Sequence, residues 1–320
     1  MSNAAVTTEG RIAADLQRVL GERVHGVRPI PEGHSGFTYW VQLDGREAVL
    51  RLPPPGTRPS GPADIARQGR LLRALHAAGL GVPAVLAASE GEAVDGRPFC
   101  LMEKVDGDRI EVAAGHDDTS LARSVIEELR RLQSVPRGAS GIGDEPPVGL
   151  RQEIERWSWL LARAPAELVQ AGPAVARLLD ETRPDERLPV LVHGDYHYGN
   201  MLFRGGRVVA VLDWEIAQLG QPLLDLACLC VVGRAEHLGG AGVPGGGMLA
   251  VPEQELLRWY DIDTDAFRWP LALTFFKYAA IFGYNLMLHR RGKRHDPIYE
   301  IRTGTITAFL DEAARLLRER

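Results

Sequence analysis

Between two short apolar runs, Val190 to Val192 and Met201 to Phe203, lie eight residues carrying an acid, an amide and two imidazoles: His193-Gly194-Asp195-Tyr196-His197-Tyr198-Gly199-Asn200. Gly205-Gly206 turns the chain back into a further apolar run, and Asp213 follows directly after Val208 to Leu212. The hairpin this implies returns Asp213 to the side of the loop it left. An Asp-x4-Asn loop, a hairpin and a second Asp suit phosphoryl transfer from a nucleotide. That chemistry needs one carboxylate to orient an acceptor hydroxyl and take its proton, and oxygen ligands to hold magnesium against the phosphates. Asp195 suits the first role, Asn200 and Asp213 the second. Asp195 need not be a strong base, because in a loose transition state positioning counts for more than basicity.

The segment LVHGDYHYGNMLF, followed by VVAVLDWEIAQLGQPLLDLACLC, closely resembles the aminoglycoside phosphotransferase family, relatives of choline kinase and the protein kinases. It looks closest to the kinase-like domain of certain acyl-CoA dehydrogenases, and GHSGFTYWV and VLRLPPPG near the start fit that subgroup. The resemblance implies an α+β, bilobal protein-kinase-like fold: a small β-rich lobe of five strands and one helix, then a larger helical lobe. It makes Asp195 the catalytic base, Asn200 and Asp213 magnesium ligands, and His193 a structural residue of the loop braced by a buried Asp225. Gly33-His34-Ser35-Gly36 becomes the loop over the phosphates, with Ser35 in the nucleotide site. Phe99 to Val105 becomes the hinge strand, where main-chain groups of Glu103 and Val105 meet adenine and Met102 lies behind it. ATP, or GTP, and Mg²⁺ are the cofactors this implies, with a small-molecule hydroxyl as acceptor.

Two positions depart from the family pattern. The strand lysine that grips the α- and β-phosphates is replaced by Arg51, and no lysine precedes Lys104. The glutamate that holds that lysine is replaced by Gln68. Arginine keeps the charge and binds phosphate bidentately; glutamine can accept its hydrogen bond without Coulomb attraction. Gln68 therefore leaves room for an alternative reading, a degenerate kinase fold that binds nucleotide without turnover.

Local patterns agree with two lobes, 1–105 and 106–320. Thr38 to Leu43 and Glu47 to Leu52 read as a hairpin about Asp44-Gly45. Asp64 caps a helix to Ala78, and Val82 to Ala88 and Pro98 to Val105 read as strands. Asp106-Gly107 marks the boundary. Helices are expected over 120–134, 150–170, 174–182, 222–232, 253–260, 265–288 and 298–318, and a surface loop over the glycine-rich 239–247. Trp269 to Leu288 is long and apolar, but Lys277 at its centre argues for a buried core helix rather than a membrane span.

The 320 residues carry a net charge of −5, too little to recruit nucleic acid or acidic lipid. Cys100, Cys228 and Cys230 form no disulfide framework, and no apolar leader is visible, so a cytoplasmic protein is expected. Oligomeric state is not legible. Other readings stand beside the main one. His193, Asp195 and His197 could ligate a metal in a hydrolase, yet His237, His289 and His295 form no supporting cluster. Tyr196 and Tyr198 could shape the acceptor site. Lys277 is hard to bury alone, which calls for an acidic partner or an anionic substrate group. Lys277, Arg290, Arg291, Lys293 and Arg294 favour an acceptor with a carboxylate or phosphate, against some acid at Asp261, Asp263 and Asp265. An antibiotic, a sugar and a hydroxyacyl thioester all stay open.

Overall fold

The computed structural model describes residues 7–30, 37–57, 60–61, 64–115, 117–235, 238, 249–293 and 296–319. The expected phosphate loop 33–36, with Ser35, and the glycine-rich 239–247 lie outside them.

Helix α1 (Thr8–Leu20) precedes strands β1 (Gly26–Pro29), β2 (Phe37–Leu43) and β3 (Arg46–Leu52). Helix α2 (Ile65–Ala77), β4 (Val85–Val94) and β5 (Arg97–Glu103) complete an antiparallel sheet in the order β1-β2-β3-β5-β4. Leu43 pairs with Arg46, so Asp44-Gly45 is a two-residue turn, and Gly45 takes the left-handed φ of 70° that such turns need. Tyr39, Val41, Leu43, Ala48, Leu50 and Leu52 alternate onto one buried face, which α1 covers with Ile12 and Leu16. Burying two such aliphatic side chains contributes roughly 1.5–3 kcal/mol each. Among the described residues the lobe thus has two α-helices, not the one expected. The strand period of two turns Arg51 to the opposite face, where α2 packs and buries Ile65, Gln68, Leu72 and Leu75. That second face is continuous with the core of the larger lobe.

The crossing between lobes is held by backbone. Asp108 bridges antiparallel to Phe203, with N–O distances of 2.7 and 2.8 Å in the two directions. A Cβ on Gly107 would lie 2.9 Å from both Leu202 Cβ and Val209 Cγ2, so only glycine lets the linker approach the hairpin this closely.

The larger lobe runs α3 (Ile110–Ala113), α4 (Asp118–Gln133), α5 (Leu150–Leu161), α6 (Gly172–Glu181), β6 (Val190–Val192), β7 (Met201–Arg204), β8 (Arg207–Val211) and β9 (Gln218–Gly220). Helices α7 (Leu223–Ala235), α8 (Glu253–Tyr260), α9 (Thr264–Arg290), α10 (Ile298–Ile301) and α11 (Thr303–Arg318) follow. Strands β6 and β9 pair antiparallel, as do β7 and β8. Helix α9 is the axis of the lobe, packed by α5, α7 and α11. It is the one helix among the described residues long and apolar enough to cross a membrane, and its apolar faces are buried in the protein.

Two helices differ from expectation. Helix α5 ends at Leu161 instead of reaching Gln170, because Pro165 cannot continue it. The segment 298–318 is not one helix but breaks at Arg302.

Candidate active site

The loop 193–200 is built around a buried carboxylate. Asp225, in the first turn of α7, is fully buried and accepts N–H bonds from His193 at 2.7 Å and Gly194 at 2.8 Å. Burial pushes its pKa above the ordinary carboxylate range, against the opposing pull of His193, both N–H groups and Lys277. Gly194 has a φ of +86°, and a Cβ there would meet the Ile216 carbonyl at 2.8 Å. Glycine is therefore required for the turn that presents the next residue.

His193 is also fully buried. Its Nδ1 accepts the Asp195 N–H at 3.1 Å, which leaves Nε2 to donate to the Leu212 carbonyl at 2.8 Å. Both partners fit the neutral ring. Burial lowers its pKa, although Asp225 and Asp195 pull the other way. The imidazole thus ties the loop to the end of β8 without adding charge.

Asp195 stands between three groups. Tyr278 donates its hydroxyl to Oδ1 at 2.7 Å, Asn200 donates its amide to Oδ2 at 3.1 Å, and His197 Nε2 lies 3.4 Å from Oδ2. Its side chain keeps 28% of its surface exposed, enough to meet a substrate. Burial alone would raise its pKa, but His197, Lys277 and Tyr278 hold it below the ordinary carboxylate range. Asp195 is an oriented carboxylate. Sequence reasoning missed Tyr278; the only signal was its place beside the suspect Lys277.

Asn200 also donates to the Asp195 carbonyl at 2.9 Å, so its amide oxygen is the end left for a ligand. Its own carbonyl accepts from Leu212 at 2.7 Å, which brings Asp213 beside the loop as expected. Asp213 adopts a φ of +63°, uncommon outside glycine. Arg51 NH1 reaches its Oδ1 at 3.1 Å, and Arg51 NH2 reaches Glu215 Oε2 at 3.4 Å. Burial would lower the pKa of Arg51, but these two carboxylates outweigh it. Glu215 was not singled out from sequence. Gln68 is buried on α2, 2% exposed. The donor set fits magnesium: a carboxylate and an amide oxygen are hard ligands that an octahedral ion completes with water and phosphate oxygens. Among the described residues no cluster of three His, Cys, Asp or Glu could hold a metal, so the hydrolase reading has no support here.

At the hinge, Met102 is buried. The Glu103 N–H is spent on the Ala84 carbonyl at 2.9 Å, and its carboxylate accepts the Ala84 N–H at 3.0 Å. The Val105 N–H, beyond the end of β5, has no partner among the described residues.

Three expectations are corrected. Tyr196 is fully buried and donates to the Val125 carbonyl at 2.8 Å, and Tyr198 is 4% exposed. Both rings pack in the core instead of shaping an acceptor site, because the loop alternates its side chains between cleft and interior. Lys277, 6% exposed, donates to the Gly194 carbonyl and lies 3.4 Å from Cys228 Sγ. Burial opposes its charge, yet Cys228, Asp195, Glu153 and Asp225 keep its pKa raised. It braces the loop 193–200 from behind, with these carboxylates as the acidic partners its burial calls for. The charged patch is also partly spent: Arg290 pairs with Glu300 at 2.7 Å and Glu167 at 3.0 Å. Asp263 caps α9 and Asp265 pairs with Arg268; Arg294, His237 and His295 lie outside the described residues. Cys228 and Cys230 are buried on α7, where burial pushes the Cys228 thiol up to about 11.

Residues 26–260 match the APH model, described as the phosphotransferase enzyme family. The chain belongs to that family. Mouse acyl-CoA dehydrogenase family member 10 is 30% identical over 208 residues, which cover 62% of this chain and 20% of that protein. This chain thus spans about a fifth of that relative's length. Homoserine kinase of Pseudomonas aeruginosa (strain LESB58) is 31% identical over 213 residues, 64% of each protein. Among solved structures, a Ralstonia eutropha protein assigned to the aminoglycoside phosphotransferases superposes with a TM-score of 0.75 at 23% identity, covering 95% of this chain and 98% of that one. A thermostable mutant of aminoglycoside phosphotransferase APH(4)-Ia, in a ternary complex with AMP-PNP and hygromycin B, gives 0.67 at 18% identity, covering 95% and 99%. These likenesses show the fold of the family, a bilobal kinase-like α+β architecture.

Proposed function

We propose that this protein is a Mg²⁺-dependent kinase that moves the γ-phosphoryl group of ATP or GTP to a hydroxyl of a small molecule. The observation that carries the reading is the Asp195 carboxylate, fixed by Tyr278, Asn200 and His197 beside Asp213. A module that only binds nucleotide has no physical use for an acid oriented on both oxygens. Homoserine kinase and APH(4)-Ia, each named for a small-molecule substrate, support the acceptor class.

Asp195 would accept the hydrogen bond of the acceptor hydroxyl, aim its oxygen and take the proton as the bond to phosphorus forms. Asn200 and Asp213 would hold magnesium, which neutralises charge developing on the phosphates. Arg51, poised at Asp213 and Glu215, would steady the non-transferred phosphates. Glu103 offers its carbonyl and Val105 its N–H to a purine base, with Met102 behind. With Asp263 and Asp265 already committed within the protein, a polycationic antibiotic has the least support among the acceptors. We place the enzyme in the cytoplasm, with residues 1–105 and 106–320 as its nucleotide and catalytic lobes.

The test is nucleotide titration with and without Mg²⁺, followed by single-turnover transfer of γ-labelled nucleotide to a panel of small hydroxyl compounds. Binding of either nucleotide that strengthens with Mg²⁺, and label on an acceptor, is the expected result. Absence of Mg²⁺-dependent binding to both nucleotides would overturn the reading.

A further inference from the structure

Arg302 is 95% removed from solvent, with 5% exposure, at the break between α10 and α11. Its Nε is sealed without an acceptor, and its guanidinium makes no ion pair among the described residues. Burial works against its charge, and the attraction of Tyr299 and Asp296 does not offset it. Arginine cannot shed its charge to escape this position. A buried cation left alone costs far more than one that is paired and hydrogen-bonded.

Three residues on, the Thr305 hydroxyl oxygen is likewise buried and unpartnered, with the residue 5% exposed. Arg302 is the N-cap of α11 and Thr305 its third residue, the spacing at which two side chains meet across a helix start. No side chain caps this helix. The Thr303 and Gly304 N–H groups and the helix dipole therefore face the same place, while the Thr305 N–H is spent on the Arg302 carbonyl at 3.0 Å. Two sealed donors and an uncapped sixteen-residue helix meet where Asp296 attracts Arg302 from a distance but no carboxylate among the described residues pairs with it.

We infer that the head of α11 is a binding site for an oxyanion, the phosphate or carboxylate group of a small molecule, held by the Arg302 guanidinium, the Thr305 hydroxyl and the N–H groups of Thr303 and Gly304. A planar guanidinium, a hydroxyl and main-chain donors form a set suited to either group. The site is separate from the catalytic loop but joined to it by packing. Two turns along α11, Phe309 packs 5.2 Å from Phe275 and 5.8 Å from Phe282, and Phe282 lies 6.1 Å from Tyr278, which holds Asp195.

The inference does not depend on kinase activity and is tested without it. Thermal unfolding is followed in chloride buffer of constant ionic strength while inorganic phosphate or acetate is added, for wild type, Arg302→Met, Thr305→Val and Arg51→Met. Wild type and Arg51→Met, which removes the cation of the nucleotide cleft, should show a Tm rise that saturates. The anion that produces it identifies the class. Arg302→Met should lose the rise and, without anion, unfold at or above the wild-type temperature. Thr305→Val should raise the half-saturating concentration about tenfold, the loss of one hydrogen bond to a charged group. A wild-type Tm indifferent to both anions, a rise retained in Arg302→Met, or an unchanged midpoint in Thr305→Val would each overturn the site.

Discussion

Arg51 on β3 and Glu215, two residues past Asp213, meet across the cleft at 3.4 Å, while the same guanidinium reaches Asp213 at 3.1 Å. The charge that Gln68 does not provide to Arg51 therefore comes from the opposite lobe. On the proposed reading this couples the phosphate grip to the segment that would carry a metal ligand. A magnesium ion drawn to Asp213 would compete with Arg51 there, and Glu215 would then be its remaining anionic partner.

Glu215→Gln should weaken nucleotide binding about tenfold, the cost of one charge-assisted hydrogen bond in a partly buried pair, with little change in maximal turnover. Adding Gln68→Glu should restore much of the loss by giving Arg51 a carboxylate from α2. Nucleotide titration of the single and double variants checks both. A double variant no better than the single would show that α2 lies out of reach of Arg51.

Asp195→Asn keeps the shape and a hydrogen-bonding carbonyl but removes the acceptor for a proton. Turnover should fall by roughly 10²–10⁴, the usual worth of a positioned general base, while Mg²⁺-nucleotide affinity stays within a factor of a few. Because its environment holds Asp195 below the ordinary carboxylate range, its charge is complete at every pH above about 4. Any acid limb in turnover between pH 5 and 7 should therefore belong to a group other than Asp195 and persist in the residual turnover of Asp195→Asn. Pre-steady-state transfer measured across pH separates these effects.

The loop and Asp213 were legible because the constellation is local in sequence: eight residues and one hairpin carry the acid, the amide and the second carboxylate. Asp225 was visible through the same family motif. Tyr278 and Glu215 were not, since each acts by reaching across a fold whose packing no local period encodes. Tyr196 and Tyr198 misled for the same reason; adjacency to Asp195 in sequence says nothing of which side of the loop a ring takes. Helix α1 carried its own signals, with Thr7 accepting from Gly10, Ile12 and Leu16 one turn apart, and Gly21 at a φ of 70° closing it. The break at Arg302 left only a faint mark, Gly304 two residues on between Thr303 and Thr305, all poor helix formers.

Tyr278→Phe should leave the fold intact, since the ring stays buried, and free one oxygen of Asp195. Losing a hydrogen bond to a charged carboxylate costs about 1.5–3 kcal/mol, so turnover should drop roughly tenfold to a hundredfold. Nucleotide affinity should hold, because Tyr278 touches the acid and not the metal ligands. Comparing kcat with nucleotide affinity in the variant tests this; equal losses in both would mean that Tyr278 supports the whole cleft.

His193 sets an acid-side stability limit. Its folded pKa lies below the ordinary value of 6.5 because the neutral ring is buried, so the unfolded chain binds the extra proton first. Its contribution is present above pH 6.5 and is lost as pH falls below that value, with a slope approaching about 1.4 kcal/mol per pH unit. His193→Gln, whatever its absolute stability, should remove this one-proton slope. Denaturant unfolding of both proteins between pH 5 and 8 reads the difference directly. A slope unchanged by the substitution would mean that His193 is charged in the native loop, and its neutral bridge from Asp195 to Leu212 would have to be abandoned.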